Sequence, residues 1–211
     1  MRPIRVVIII LLAIYSGNSI MAQSDHLEPT SGIFDCYDFQ FEYYSKVRKV
    51  LFQGLTNKPL TRFLILPSFT PENVLDIEFD RTNKKYFLVY HICERMIANN
   101  DNWEQTKLTK IRKEISKESA LLIKELFETA IQGTKYPSTQ RIGLDGENYY
   151  FTVNMGKLKT GTIWSPSAGT KMWRLVNIEL ELIRLAKSDK ELIKIEDKLK
   201  ENIIQLTTEL K

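Results

Sequence analysis

Residues 86–94 read YFLVYHICE. β-Branched and aromatic side chains follow one another there almost without interruption, and no glycine or proline breaks the run. A surface helix would bring a polar residue round every three or four positions. An unbroken apolar run of this length instead suits a strand covered on both faces in the middle of a sheet.

Further strands are read outward from it. Residues 61–69, TRFLILPSF, form a short apolar run closed by Pro67, and Val74, Ile77 and Phe79 give a second strand after the turn. The polar DRTNKK segment, 80–85, has the length of a hairpin connector. Residues 148–154, NYYFTVN, and 159–164, KTGTIW, read as a hairpin with MGK at its turn. Residues 103–116 are ambiguous, because Leu108, Ile111 and Ile115 suit either a helix or a bulged strand.

Helices flank these strands. Phe41, Tyr44, Val47 and Leu51 recur at helical spacing, which predicts a helix over 38–55 ended by Gly54. Ser116 reads as an N-cap for a helix carrying Leu122, Ile123, Leu126, Phe127 and Ala130 on one face, with Gly133 as the glycine beyond its end. In the last third, Leu175, Ile178, Leu182 and Leu185 form one apolar stripe. Leu192, Ile195, Leu199, Ile203, Leu206 and Leu210 continue it, and Ser188 with Glu191 reads as a capping box that starts or bends the final helix. Strands bracketed by helices without regular alternation argue for an α+β fold. The expectation is an antiparallel sheet of about four to five strands flanked by helices, with an extended C-terminal helical segment.

The N-terminus speaks to location. Arg2 and Arg5 precede an apolar run from Val6 to Tyr15, small polar residues follow, and Ala22 precedes Gln23. That layout predicts a signal peptide over 1–22. The run is short beside the ~20 residues that span a bilayer. The predicted organisation continues with a polar leader over 23–37, an α+β domain over 38–188 and a C-terminal amphipathic helix over 189–211. Such a chain would be periplasmic or secreted, with no transmembrane helix after cleavage. Losing Arg2 and Arg5 lowers the net charge from +4 to +2. No concentrated basic face marks the chain for nucleic acid.

Cys36 and Cys93 are the two cysteines, and an even pair in an oxidising compartment makes them a disulfide candidate. A loop that long would be stabilised by about 3–4 kcal/mol on chain-entropy grounds. Two free buried thiols are the alternative.

Catalytic signatures are sparse. Residues 161–175, GTIWSPSAGTKMWRL, hold Gly169-Thr170-Lys171, whereas a phosphate-binding loop sets its lysine directly after glycine. The stretch reads as a helix start, with Ser165 or Ser167 capping, Pro166 in the first turn and Trp164 just outside. Lys159-Thr160-Gly161 matches one β-lactamase triplet, but no serine has a lysine three residues on. His91 shares a strand face with Cys93, which makes His91 a weak catalytic candidate. The Asp145 and Glu147 turn is another, although Asp-Gly is first a turn signal. No metal-ligand spacing appears, and no cofactor or metal is expected.

Surface recognition remains. Tyr149, Tyr150, Trp164, Trp173 and Arg174 gather around the second hairpin and the following helix start, and aromatics with arginine carry interface energy. Aromatics also supply core burial. In a strand Tyr149 and Tyr150 must face opposite ways, so one of them can stay at the surface. The expectation is a non-catalytic exported domain that binds a protein or an envelope component, with self-association through the C-terminal helix as a further route. The alternative is a small secreted hydrolase using His91 or the Asp145 and Glu147 turn.

Overall fold

A computed structural model describes residues 25–30, 38–98, 100–137 and 145–211. Cys36 and the expected signal peptide lie outside these residues. In chain order the described elements are β1 (Glu28–Pro29), α1 (Asp38–Leu51), β2 (Thr61–Pro67), β3 (Asn73–Asp80), β4 (Lys85–Cys93), a 3₁₀ turn (Trp103–Gln105), β5 (Leu108–Ile115), α2 (Lys117–Gln132), β6 (Glu147–Asn154), β7 (Leu158–Trp164), α3 (Lys171–Ala186), β8 (Leu192–Ile193) and α4 (Asp197–Leu210). The strands form one open sheet in the order β1-β7-β6-β2-β3-β4-β5-β8. All neighbours run antiparallel except β5 and β8, which are parallel.

The α+β architecture is as expected, and β4 lies inside the sheet between β3 and β5. The sheet is larger than the four to five strands expected. The ambiguous 103–116 segment supplies β5, paired along eight positions to β4 from Tyr86↔Ile115 to Cys93↔Leu108. The other two additions, β1 and β8, are two-residue edge strands. Tertiary pairing rather than local pattern makes them strands, so no periodicity announces them.

β1 belongs to the expected polar leader. Leu27, fully buried, anchors it, and the Leu27 carbonyl accepts from Lys135 N at 3.0 Å. Gly161 on β7 leaves the room: a Cβ there would sit 2.9 Å from Leu27 Cβ.

One face of the sheet carries the main core. Phe63, Leu75, Ile77, Leu88, Tyr90 and Phe151 pack against Ile123 and Phe127 of α2, Leu175 and Leu182 of α3, and Ile203 and Leu206 of α4. Burying each such side chain stabilises by roughly 1.5–3 kcal/mol. On the opposite face α1 covers one end, where Val47, Val50 and Leu51 meet Leu66, Val74, Cys93 and Ile97. Glu72, fully buried, ties this layer together by accepting from Tyr43 OH, Ile97 N and Ala98 N at 2.9–3.1 Å. Farther along that face Arg62 pairs with Asp76 and Arg112 with Glu78, beside Val89 and Phe87 of β4.

α1 ends at Leu51, earlier than the predicted 55, and Gly54 at φ +84° turns the chain after it. α2 starts as predicted: Ser116 Oγ accepts from Ser119 N at 3.2 Å. Gly133 follows its end at φ −80°, so it closes the helix without a left-handed turn.

The capping box at Ser188 and Glu191 does not form. Ser188 Oγ donates back to Leu185 O at 2.7 Å and so closes α3. The chain then runs extended, Ser116 N donates to Ile193 O at 2.9 Å, and Ile195 N donates to Ser119 Oγ at 3.0 Å. These bonds satisfy the backbone outside a helix, and α4 begins only at Asp197. Ile193 is fully buried while Leu192 is exposed, one position out of step with the helical stripe.

Candidate functional site

α3 starts differently from the sequence reading. Ser165 sits at φ +36°, and its Oγ accepts from Glu147 N at 2.9 Å, so it braces a turn and caps no helix. Pro166 lies in the loop. Gly169 at φ +87° swings the chain round, a conformation glycine adopts without a Cβ clash. Thr170 is then the N-cap, its Oγ1 accepting from Trp173 N at 3.1 Å. Asp25 satisfies another first-turn donor, Lys171 N, at 2.7 Å.

This start sets Trp173 and Arg174 on the outer side of α3. α4 returns antiparallel beside it. At one end, Lys171 Nζ donates to Glu209 O at 2.6 Å and Arg174 pairs with the Glu209 carboxylate. Between the two helices lies a cleft of about 420 Å³. Its floor is apolar, from Ile178, Leu185 and Leu199. Its walls are Trp173, Arg174, Asn177, Glu181 and Arg184 from α3 with Lys198 and Asn202 from α4, and Glu196 just precedes α4. Trp173 is 39% exposed. Asn177 Nδ2 donates to Trp173 O at 2.7 Å and holds that turn of the helix. Arg184 pairs with Glu181, and Lys190 pairs with Glu196 at 2.8 Å.

The structure brings Trp173 and Arg174 together in the cleft and places the other recognition candidates elsewhere. Tyr149 is buried on the main-core face, stacked on Phe63 with centroids 5.8 Å apart, and its hydroxyl donates to Glu147. Burial raises the Tyr149 hydroxyl pKa, and the Glu147 carboxylate raises it further. Tyr150 points to the opposite face, where its hydroxyl meets that of Tyr44 at 3.1 Å. Trp164 closes β7 against the Asp145–Glu147 turn. A Cβ on Gly146 would lie 2.5 Å from Trp164 Nε1, so glycine is needed for this approach. Asp145 is exposed and Glu147 half-buried.

His91 and Cys93 share a face, as alternation requires, and both are buried under α1. His91 Nδ1 lies 3.0 Å from Leu51 O and donates to it. Burial lowers the pKa of His91 and favours the neutral ring. Cys93 is a free, buried thiol, pushed up to about 12 by burial and then by the Glu72 charge. That suits packing better than nucleophilic attack, which needs a thiolate. Among the described residues no group of three His, Cys, Asp or Glu side chains could hold a metal ion, and no helix is long and apolar enough to cross a membrane.

Sequence reasoning missed Asn177, Glu181, Arg184, Lys198 and Asn202. On α3 the row from Trp173 through Asn177 and Glu181 to Arg184 follows the helical period and can be read once the helix is placed. The contribution of α4 depends on its antiparallel return, which no local pattern encodes. Comparison with protein-family models, curated proteins and solved structures finds no match to the chain. The meaning of the cleft therefore rests on its own geometry.

Proposed function

We propose that the chain is an exported, non-catalytic recognition domain that binds an envelope component through the cleft between α3 and α4. The observation that carries the reading is Trp173, held 39% exposed in the wall of a concave site beside Arg174. Large rings held partly in water beside arginine are the residue types that carry binding energy. The floor under them is apolar, as recognition sites generally require. Export is supported by the N-terminal layout of Arg2, Arg5 and the apolar run that follows. In this reading the mature chain begins at Gln23.

The test has two parts. Mass analysis of the chain from its native host is expected to show a start at Gln23. Retention of the mature chain on isolated envelope is expected to fall when Trp173→Ala is introduced, with the melting temperature little changed. Equal retention of both chains would remove the cleft from the proposal.

A further inference from the structure

We propose that the α3–α4 cleft takes an uncharged saccharide unit of one or two rings. This inference rests on the reading of the cleft as the recognition surface and adds the chemistry of its ligand.

Four observations point to that class. At about 420 Å³ the cleft falls toward the small end of the roughly 300–1,000 Å³ typical of small-molecule sites. Trp173 offers an aromatic face whose negative quadrupole attracts the C–H face of a sugar ring. Its backbone is held on both sides, by the Thr170 cap and by the Asn177 amide, so the helical turn that carries the ring is set before binding. Asn177 spends one N–H on Trp173 O and keeps its second N–H and its carbonyl. Asn202 on α4 supplies a second amide that makes no hydrogen bond among the described residues. A sugar hydroxyl is donor and acceptor at once, and a pair of amides matches it better than a single charge does.

Charge selects against other ligands. Arg184 is answered by Glu181, Glu196 by Lys190 and Arg174 by Glu209, so opposite signs are interleaved along the walls. Among the described residues Lys198 is the one wall charge outside these ion pairs, and a single exposed lysine favours an anion only weakly. A docking amphipathic helix would need a continuous apolar stripe to lie against. Here the amides of Asn177 and Asn202 stand in the walls over the floor made by Ile178, Leu185 and Leu199, so the rim offers such a helix no continuous apolar stripe.

The test uses the mature full chain, followed by amide NMR and calorimetry, with N,N′-diacetylchitobiose, maltose and cellobiose as neutral probes. Galacturonic acid and glucosamine serve as charged probes. At least one neutral disaccharide is expected to shift signals from 173–185 and 198–202 and to bind more tightly than either charged sugar. Trp173→Ala and Asn202→Ala are each expected to weaken binding roughly tenfold or more, about 1.4 kcal/mol. Trp173→Phe should recover part of the loss, which a merely structural role would not predict. If no neutral sugar shifts these signals, the saccharide assignment is overturned. If Trp173→Ala still releases the chain from isolated envelope in that case, recognition by the cleft stands without it. If it does not, both readings fail.

Discussion

Arg62 and Asp76 face each other across β2 and β3 in a two-point contact, with Nε to Oδ1 at 2.8 Å and Nη2 to Oδ2 at 2.6 Å. The carboxylate is fully buried, and the guanidinium side chain is 12% exposed. Burial pushes the Asp76 pKa up to about 6 even with Arg62 beside it. The pair therefore aligns β2 with β3 while adding little net stability.

Removing one partner should cost far more than removing both. Arg62→Met is expected to destabilise by about 3–5 kcal/mol at pH 7, because the Asp76 charge loses its counter-ion. The loss should shrink at pH 4, where the folded carboxyl is already protonated in the parent chain. The double variant Arg62→Met with Asp76→Leu should recover most of the stability. Urea unfolding of the three chains at both pH values measures this. A double variant no better than Arg62→Met alone would show that the pair itself holds the strands.

Glu179 is a second buried acid, without any such partner. It lies on α3, 2% exposed, and its Oε1 has no hydrogen bond among the described residues. Burial raises its pKa well above the ordinary glutamate value, so the folded chain holds the proton to a higher pH than the unfolded chain does. The unfolded chain ionises it above about pH 4.5. Stability must then fall as pH rises above that value, by up to about 1.4 kcal/mol per pH unit until the folded group also ionises. Glu179→Met removes the group at similar volume. It is expected to match the parent near pH 4 and exceed it at pH 7.5. Urea midpoints at the two pH values decide the matter, and parallel shifts in both chains would show that Glu179 does not titrate as its burial demands.

Asp76 and Glu179 lie on elements that the sequence pattern places well, yet neither burial could be read from it. Strands β2 and β4 were legible as bounded apolar runs, β3, β6 and β7 as short apolar and β-branched segments bounded by turns, and helix α2 by the recurrence of its apolar residues at the helical period. β1 and β8 were not. Glu28–Pro29 is polar and short, and Leu192–Ile193 sits inside a helical stripe, so only pairing to β7 and β5 makes them strands. At the start of α3 the sequence pattern points to Ser165 or Ser167 as the cap, and Thr170 is passed over. The left-handed turn at Gly169 selects Thr170, and conformation is not written in composition. For the site, Trp173 and Arg174 were legible as residue types. The α4 wall was not, since bringing positions 173 and 202 to one cleft is a property of how helices pack.

The choice of cap can be tested directly. Thr170→Ala removes the acceptor for Trp173 N and is expected to cost about 1 kcal/mol. Thr170→Asp should retain most of the stability, because aspartate caps as well as threonine does. Hydrogen exchange at Trp173 and Arg174 should quicken in the alanine variant alone. Ser165→Ala should instead loosen Glu147, whose N–H it holds. Faster exchange at Trp173 in the Ser165 variant would move the cap back to that serine.

The attachment of β1 depends on one absent side chain. Leu27 packs over Gly161, and an alanine methyl at that position would stand 2.9 Å from Leu27 Cβ, 3.0 Å from its Cδ1 and 3.2 Å from Thr134 Oγ1. Two of these contacts fall on a fully buried leucine, which cannot move aside cheaply. Gly161→Ala is therefore expected to destabilise by about 1–3 kcal/mol, the range for an overpacked core. The damage should be local: residues 25–29 should become sensitive to protease while α2 and the β2–β5 strands keep their protection. Adding Leu27→Gly, which removes both the Cβ and the Cδ1, should relieve the clash, so the double variant should lose less than the sum of the two single changes. Strict additivity, or unchanged protease resistance at 25–29 in Gly161→Ala, would mean that β1 does not pack on Gly161.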